Sequence, residues 1–189
     1  MRVILASQSK VREQFLRKYI KNLEIVVPRG VEEIKFSGDI RLYVITNAKL
    51  KSMSVAKSYP DCLVLGYDTT VWCDGKVYEK PADIEEAKQM LREQRGKIEY
   101  ICTGMYFIHL TKRINIEDIA VTRVYFKYLS DWDIEQILAE KEILDCGGAY
   151  NYKLEGDRYV EIYEGEKDNV VGVPLKKTLK HLRKMGYVE

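Results

Sequence analysis

The chain has 189 residues, of which 31 are Lys or Arg and 29 Asp or Glu, for a formal net charge of +2. That length suits one large domain or two small ones, and a hydrophobic share of 46% belongs to a globular chain rather than a disordered one. The near balance of charge argues against a protein that wraps nucleic acid electrostatically, and no apolar run approaches the ~20 residues of a membrane helix.

The hydrophobic period switches repeatedly between strand-like and helix-like. Arg2 to Ala6 reads as a short buried strand, too short an apolar core for a signal peptide. Ser9 then caps a helix over about 10–20, with Val11, Phe15, Leu16 and Tyr19 on one face. Ile25 to Val27 is a strand that stops at Pro28, and a second helix covers about 38–59. Cys62 to Gly66 is an apolar strand that Val71 to Cys73 resumes after a polar interruption. Asp74-Gly75 signals a hairpin, with Lys76 to Tyr78 returning. Asp83 to Glu86 has the form of a capping box opening a helix that Gly96 stops. Residues 98–110 and 117–128 are long β-rich runs expected to pair antiparallel. Ser130 caps another helix to about Glu140, Arg158 to Tyr163 is a strand, and Pro174 starts the last helix. There Leu175, Leu179, Leu182 and Met185 form the buried stripe, and Lys176, Lys177, Lys180 and Lys184 a solvated face. Tyr125 and Tyr128 read as β-formers on strands. The expectation is an α/β chain with a mixed sheet, not a purely doubly wound parallel one.

The cysteines (Cys62, Cys73, Cys102, Cys146) form no CxxC or Cys/His cluster, and His109 and His181 lie far apart in sequence. A zinc centre is not expected, and free thiols in a reducing cytoplasm are. Function therefore falls to carboxylates, cations and hydroxyls.

Four segments could carry it. Ser7-Gln8-Ser9 joins a strand to a helix whose N-terminus suits a phosphate, with Arg12 one turn in; alone, Ser9 reads first as an ordinary cap. Asp68 breaks an apolar run near the carboxyl end of a strand, where ligand groups often project. It could hold Mg²⁺, accept a proton from water, or be a turn residue between two strand segments. Lys80 follows the Asp74-Gly75 hairpin, which could bring it back towards Asp68 as a point cation for phosphate, although most lysines are simply exposed. The glycine-rich Cys146 to Lys153, with Asp168 to Pro174, permits close backbone approach, and Lys153 could reach an anion. Ordinary loop chemistry would also account for it.

Taken together and in order, these segments resemble the Maf family of nucleoside triphosphate pyrophosphatases. Leu5 to Arg12 is similar to the family's L-A-S-x-S-P-R-R, Val31-Glu32-Glu33 to V-D-E, Gly66 to Thr69 to G-A-D-T, and Glu79-Lys80-Pro81 to G-K-P. Gly96 with Thr103-Gly104, Gly148-Ala149-Tyr150, and Asn169 to Leu175 resemble S-G…T-G, G-A-Y and N-V-V-G-L-P-L. The match runs over nearly the whole chain. It implies an inosine-triphosphate-pyrophosphatase-like (Maf-like) α/β fold, a mixed twisted sheet flanked by helices. Residues 1–189 would form a single domain, with two lobes and the substrate cleft between them. It also implies a cytoplasmic homodimer, without membrane or nucleic-acid partners. The reaction it implies is metal-dependent cleavage, with Mg²⁺ or Mn²⁺, of a nucleoside triphosphate to monophosphate and pyrophosphate. By resemblance, Asp68 is general base or metal carboxylate and Glu33 the second acid. Lys80 and Arg12 hold phosphates, with Ser7 and Ser9 at the helix N-terminus.

The chain departs from the pattern. Val11 stands where the family has an arginine, the lysine of L-A-x-x-K-A falls on Asn47 with Lys49 or Lys51 as substitutes, and Lys153 replaces the usual glutamine. The specificity positions read Val11, Thr69, Lys153, against Arg, Thr, Gln in the dTTP/UTP subgroup and Trp, Gln, Glu in the 7-methyl-GTP subgroup. Thr69 favours the pyrimidine side. The alternatives are an enzyme for inosine or xanthosine triphosphate, and a non-catalytic nucleotide-binding regulator, which the apparent loss of cations at 11 and 47 would favour. An RNA-binding module is more distant.

Overall fold

A computed structural model describes residues 2–139, 143–152 and 158–188. The apolar opening forms β1 (Val3–Ala6), buried on both faces between β2 (Leu23–Val26) and β3 (Leu63–Cys73), and parallel to both. Helix α1 (Lys10–Arg17) links β1 to β2, and α2 (Ile40–Ala56) precedes β3. From β3 onward the pairing is antiparallel, through β4 (Lys76–Tyr78), β5 (Lys97–His109), β6 (Ile114–Phe126) and β7 (Val160–Glu164). Among the described residues the seven strands run β2-β1-β3-β5-β6-β7, with β4 on β3. This is the mixed sheet the sequence leads one to expect, and the two long β-rich runs are the β5–β6 pair. Helices α3 (Ile84–Gln94), α4 (Asp131–Leu138) and α5 (Leu175–Lys184) complete the fold.

Alternation along β1 sorts the core. Val3 and Leu5 pack with Leu16 of α1 and Leu182 of α5, while Ile4 and Ala6 pack with Ala48 and Val55 of α2. A third cluster joins Val71 and Tyr78 to Leu91 of α3 and Ile134 of α4. Among the described residues no helix is long and apolar enough to cross a membrane, and Cys62, Cys73 and Cys102 are free thiols, all buried.

Several local expectations change. Tyr19 is exposed, and Ile20, one residue past the expected face, is buried instead. Asp83 accepts from the Glu86 amide, but Glu86 accepts from the Ala82 amide rather than from Asp83, so only half of the capping box forms. The reciprocal box occurs at Ser130 and Asp133. Pro174 is the residue just before α5 rather than its first turn. Lys177 is not simply solvated, since it pairs with Asp118 at 2.8 Å. Tyr128 lies beyond β6, with the Arg95 guanidinium 5.1 Å from its ring centroid.

Two features of β3 create the site. First, the strand is continuous from Leu63 to Cys73, so Asp68 is a strand residue and not a turn. Second, one edge of it is paired in two pieces. β1 ends at Ala6 opposite Gly66, β4 begins its pairing at Val71, and β5 covers the other edge throughout. Residues 67–70 therefore face a gap in the sheet, just beyond the carboxyl end of β1, where α/β proteins bind ligands.

Helix α2 lies unusually close to the sheet here. A Cβ on Gly66 would overlap the Ala48 carbonyl and Ser52, and one on Gly104 would overlap the Val44 backbone. Gly104 pairs directly with Asp68, so the contact sets the height of α2 over the acid. Gly104→Ala is expected to lift α2 and to cost about 2–3 kcal/mol, as overpacking against backbone does. Urea unfolding checks this.

Candidate active site

The cationic side is built on the β1–α1 junction. Ser9 Oγ accepts from the Arg12 amide at 3.3 Å, and Ser7 Oγ accepts from the Ser9 amide at 3.1 Å. Both serines thus shape the turn that presents the helix N-terminus. Arg12, one turn in, crosses the gap in the sheet. Its Nη2 donates to Thr69 Oγ1 at 2.9 Å and its Nε to the Gly172 carbonyl at 3.1 Å. Its Nη1 lies 3.5 Å from both Ser7 Oγ and the Tyr67 carbonyl. Thr69 Oγ1 also bonds Thr103 Oγ1 at 2.9 Å. Gly172 has φ of +79°, and a Cβ there would sit 3.1 Å from Thr69 Oγ1 and 3.2 Å from Arg12 Nε; glycine is needed for both reasons. Burial pulls the guanidinium pKa down, opposed by charge on Asp68, Tyr67 and Glu33, and an arginine remains charged regardless.

The acidic side lies on the opposite face of β3, because Asp68 and Thr69 alternate. Asp68 is 6% exposed. Lys51 of α2 places its Nζ 2.5 Å from Asp68 Oδ1 and 3.0 Å from Glu33 Oε1. Glu33 rides on the segment before α2, and Asn47 holds that segment by accepting the Ile34 amide at 2.9 Å. The buried Tyr43, further back on α2, donates its phenol to Glu79. Burial, the bond to Glu79 and the charges of Glu79, Asp68 and Glu33 all raise the Tyr43 pKa. A cleft of about 640 Å³ lies alongside, lined by Phe36, Val77, Glu79, Lys80 and Met90.

The structure therefore brings together Ser7, Ser9, Arg12 and Thr69 on one side, and Glu33 and Asp68 on the other. The expected return of Lys80 to Asp68 is not seen. Its Nζ lies 3.4 Å from Asp145, and both side chains are mostly exposed. The hairpin is tight, with positive φ at Asp74 and Gly75, but it delivers Glu79 rather than Lys80 to α2. Val11 sits half-buried in the first turn of α1, and Lys153 lies outside the described residues. The cation expected to be missing at Asn47 is supplied one turn later by Lys51, since i and i+4 share a helix face. Asn47 is wholly buried and serves the Glu33 segment instead. Asn47→Ala is expected to cost about 1–3 kcal/mol by leaving the Ile34 amide without its acceptor, which urea unfolding measures. Tyr43, Asn47, Thr103 and Gly172 gain their roles only from long-range contacts.

Among the described residues, no three His, Cys, Asp or Glu side chains gather as a metal cluster. Glu33 and Asp68 nevertheless fit a hard divalent cation of the Mg²⁺ type, which uses one or two carboxylates and takes its remaining oxygens from water and phosphate.

Comparison with known proteins bears on this geometry. The model of the family described as Maf-like protein matches residues 2–185. The dTTP/UTP pyrophosphatase of Clostridium novyi is 38% identical over 189 residues, covering 98% of each chain. That of Akkermansia muciniphila is 34% identical over 187 residues, covering 98% of this chain and 97% of its own. Among solved structures, the Ham1 protein of Staphylococcus aureus aligns with a TM-score of 0.51 at 13% identity, over 67% of this chain and 72% of its own. That likeness is one of fold alone.

Proposed function

The chain belongs to the Maf-like family, and from that premise we propose that it hydrolyses a pyrimidine nucleoside triphosphate of the dTTP/UTP kind to the monophosphate and pyrophosphate. The observation that carries the reading is the arrangement around the gap in β3. A helix N-terminus with Arg12 stands on one side, and two carboxylates sharing Lys51 stand on the other. A polyanion needs the first, and water activation needs the second.

In this reading the triphosphate lies against Ser7, Ser9 and Arg12, with Lys80 swinging from the exposed Asp145 onto phosphate oxygens. Asp68 orients the attacking water and accepts its proton, and Glu33 holds the second oxygen position. Water attacks the α-phosphorus, the bond to the bridging α–β oxygen breaks, and pyrophosphate leaves. A divalent ion, Mg²⁺ or Mn²⁺, held by Glu33 and Asp68 would neutralise charge developing on the phosphates. Thr69, Val11 and Lys153 would face the base. The clusters on the two faces of β1 are separate from the one around α3 and α4, which suits two lobes of one domain with the cleft between them. A homodimer in the cytoplasm completes the proposal.

The test is pyrophosphate release from a panel of canonical and modified triphosphates with Mg²⁺ or Mn²⁺. Monophosphate product with dTTP or UTP ranked first is expected. Preference for inosine or xanthosine triphosphate would overturn the base assignment. Binding without turnover of any nucleotide would overturn the reaction.

A further inference from the structure

Two carboxylates that suit a divalent cation already share one cation of the chain's own. Lys51 Nζ lies within 3.0 Å of both Asp68 Oδ1 and Glu33 Oε1, with only 18% of its side chain exposed and 9% of that of Asp68. We propose that Lys51 is the resident cation of this site: it excludes a divalent metal until a triphosphate draws its ammonium away, so metal and nucleotide bind cooperatively. The nucleotide half of this proposal rests on the pyrophosphatase reading; the exclusion half does not.

Charge and reach both favour this exchange. An incoming divalent ion must occupy the same oxygens as the ammonium, and like charges at that separation in a half-buried site repel strongly. The ammonium sits on a flexible four-carbon stem and can move. The other cations nearby are differently held. Arg12 is fixed by Thr69, Gly172, Ser7 and Tyr67. Lys49 stands 5.5 Å from the Tyr106 ring centroid, and Lys80 stands by Asp145. Glu79, another acid nearby, is engaged by Tyr43. Lys51 is thus the cation in direct contact with both carboxylates, and a triphosphate offers it new anionic oxygens as it leaves them. Linkage makes the effect reciprocal: nucleotide tightens metal by the factor that metal tightens nucleotide.

Mn²⁺ affinity, measured by calorimetry and by electron paramagnetic resonance, tests this without turnover. Wild type, Lys51→Met, Lys51→Gln and the charge control Lys49→Gln are titrated with Mn²⁺ alone, then with α,β-methylene-dUTP present. Circular dichroism verifies the fold, and the two neutral variants guard against one of them failing to fold. Lys51→Met and Lys51→Gln are expected to bind Mn²⁺ alone at least about tenfold more tightly than wild type, with Lys49→Gln within about twofold. The analogue is expected to raise wild-type Mn²⁺ affinity by about tenfold or more, and that of the Lys51 variants by less than about threefold. Unchanged or weaker Mn²⁺ binding in the Lys51 variants overturns the proposal, as does a tightening shared equally by Lys49→Gln. If the variants tighten Mn²⁺ but the analogue affects neither them nor wild type, exclusion by Lys51 is supported and the nucleotide reading fails.

Discussion

Asp68→Asn is expected to lower kcat for triphosphate hydrolysis by roughly 10³-fold, the scale lost when a positioned base is removed, while leaving the fold intact. Asparagine has nearly the same shape, and its carbonyl oxygen can still accept from Lys51, which now lies 2.5 Å from Asp68 Oδ1. The strand is paired through position 68 by backbone groups that the change does not touch. What is lost is the negative charge that would accept the proton of water and attract a divalent ion. Arg12 and the α1 N-terminus, on the other face of β3, keep their partners. At saturating metal, KM should therefore move by less than about fivefold, the pattern of an interaction made chiefly in the transition state. Steady-state pyrophosphate release gives both constants, and urea unfolding gives the stability. A variant retaining a tenth or more of wild-type kcat would remove Asp68 from the chemistry.

The parts of this site legible in the sequence are those built by short-range rules. A strand, a Ser cap and a capped helix in succession place Ser7, Ser9 and Arg12 together, because each step is fixed by its neighbours. The mixed sheet follows from one long antiparallel hairpin and a short buried strand, joined through β3. Lys51 could be named but not placed, and α2 explains why. The helix meets the sheet through glycines, and its buried face includes Asn47 and Ser52. Its apolar pattern therefore does not announce which side is inward. The destination of Lys80 failed for a different reason. A side chain after a hairpin points by strand register, and a one-residue difference exchanges Glu79 for Lys80. The edge of β3 at 67–70 is invisible in sequence, since it depends on where two other strands stop.

Glu99 shows the same limit and carries the second large effect. In β5, Ile98 is 36% exposed while Glu99 is 1% exposed, the reverse of what polarity suggests. Glu99 Oε2 accepts from Tyr152 OH at 2.9 Å, and Oε1 has no hydrogen-bond partner among the described residues. Burial raises its pKa to about 8, with the Tyr152 bond opposing, so the native state holds it as the neutral acid. Below its ordinary value of 4.5 the folded and unfolded states are both protonated. Between there and about 8 the unfolded chain ionises and the native protein does not, so unfolding releases a proton and stability falls as pH rises. Above about 8 both ionise and the loss stops growing, at a limit of ~4–5 kcal/mol. The neighbouring acids do not confuse this window, because burial pushes the Cys73 thiol up to about 11 and raises the Tyr152 phenol well above its ordinary value. His109, whose pKa burial lowers, works in the opposite sense near neutrality, but it is common to wild type and variant. Glu99→Gln keeps a carbonyl acceptor for Tyr152 and cannot ionise. Its stability should equal that of wild type within about 1 kcal/mol at pH 5 and exceed it by a few kcal/mol at pH 8.5. Urea unfolding across that range measures the difference directly. Parallel pH profiles for the two proteins would mean that Glu99 is already ionised in the native state, and that water or a cation reaches a carboxylate enclosed between β5 and Tyr152.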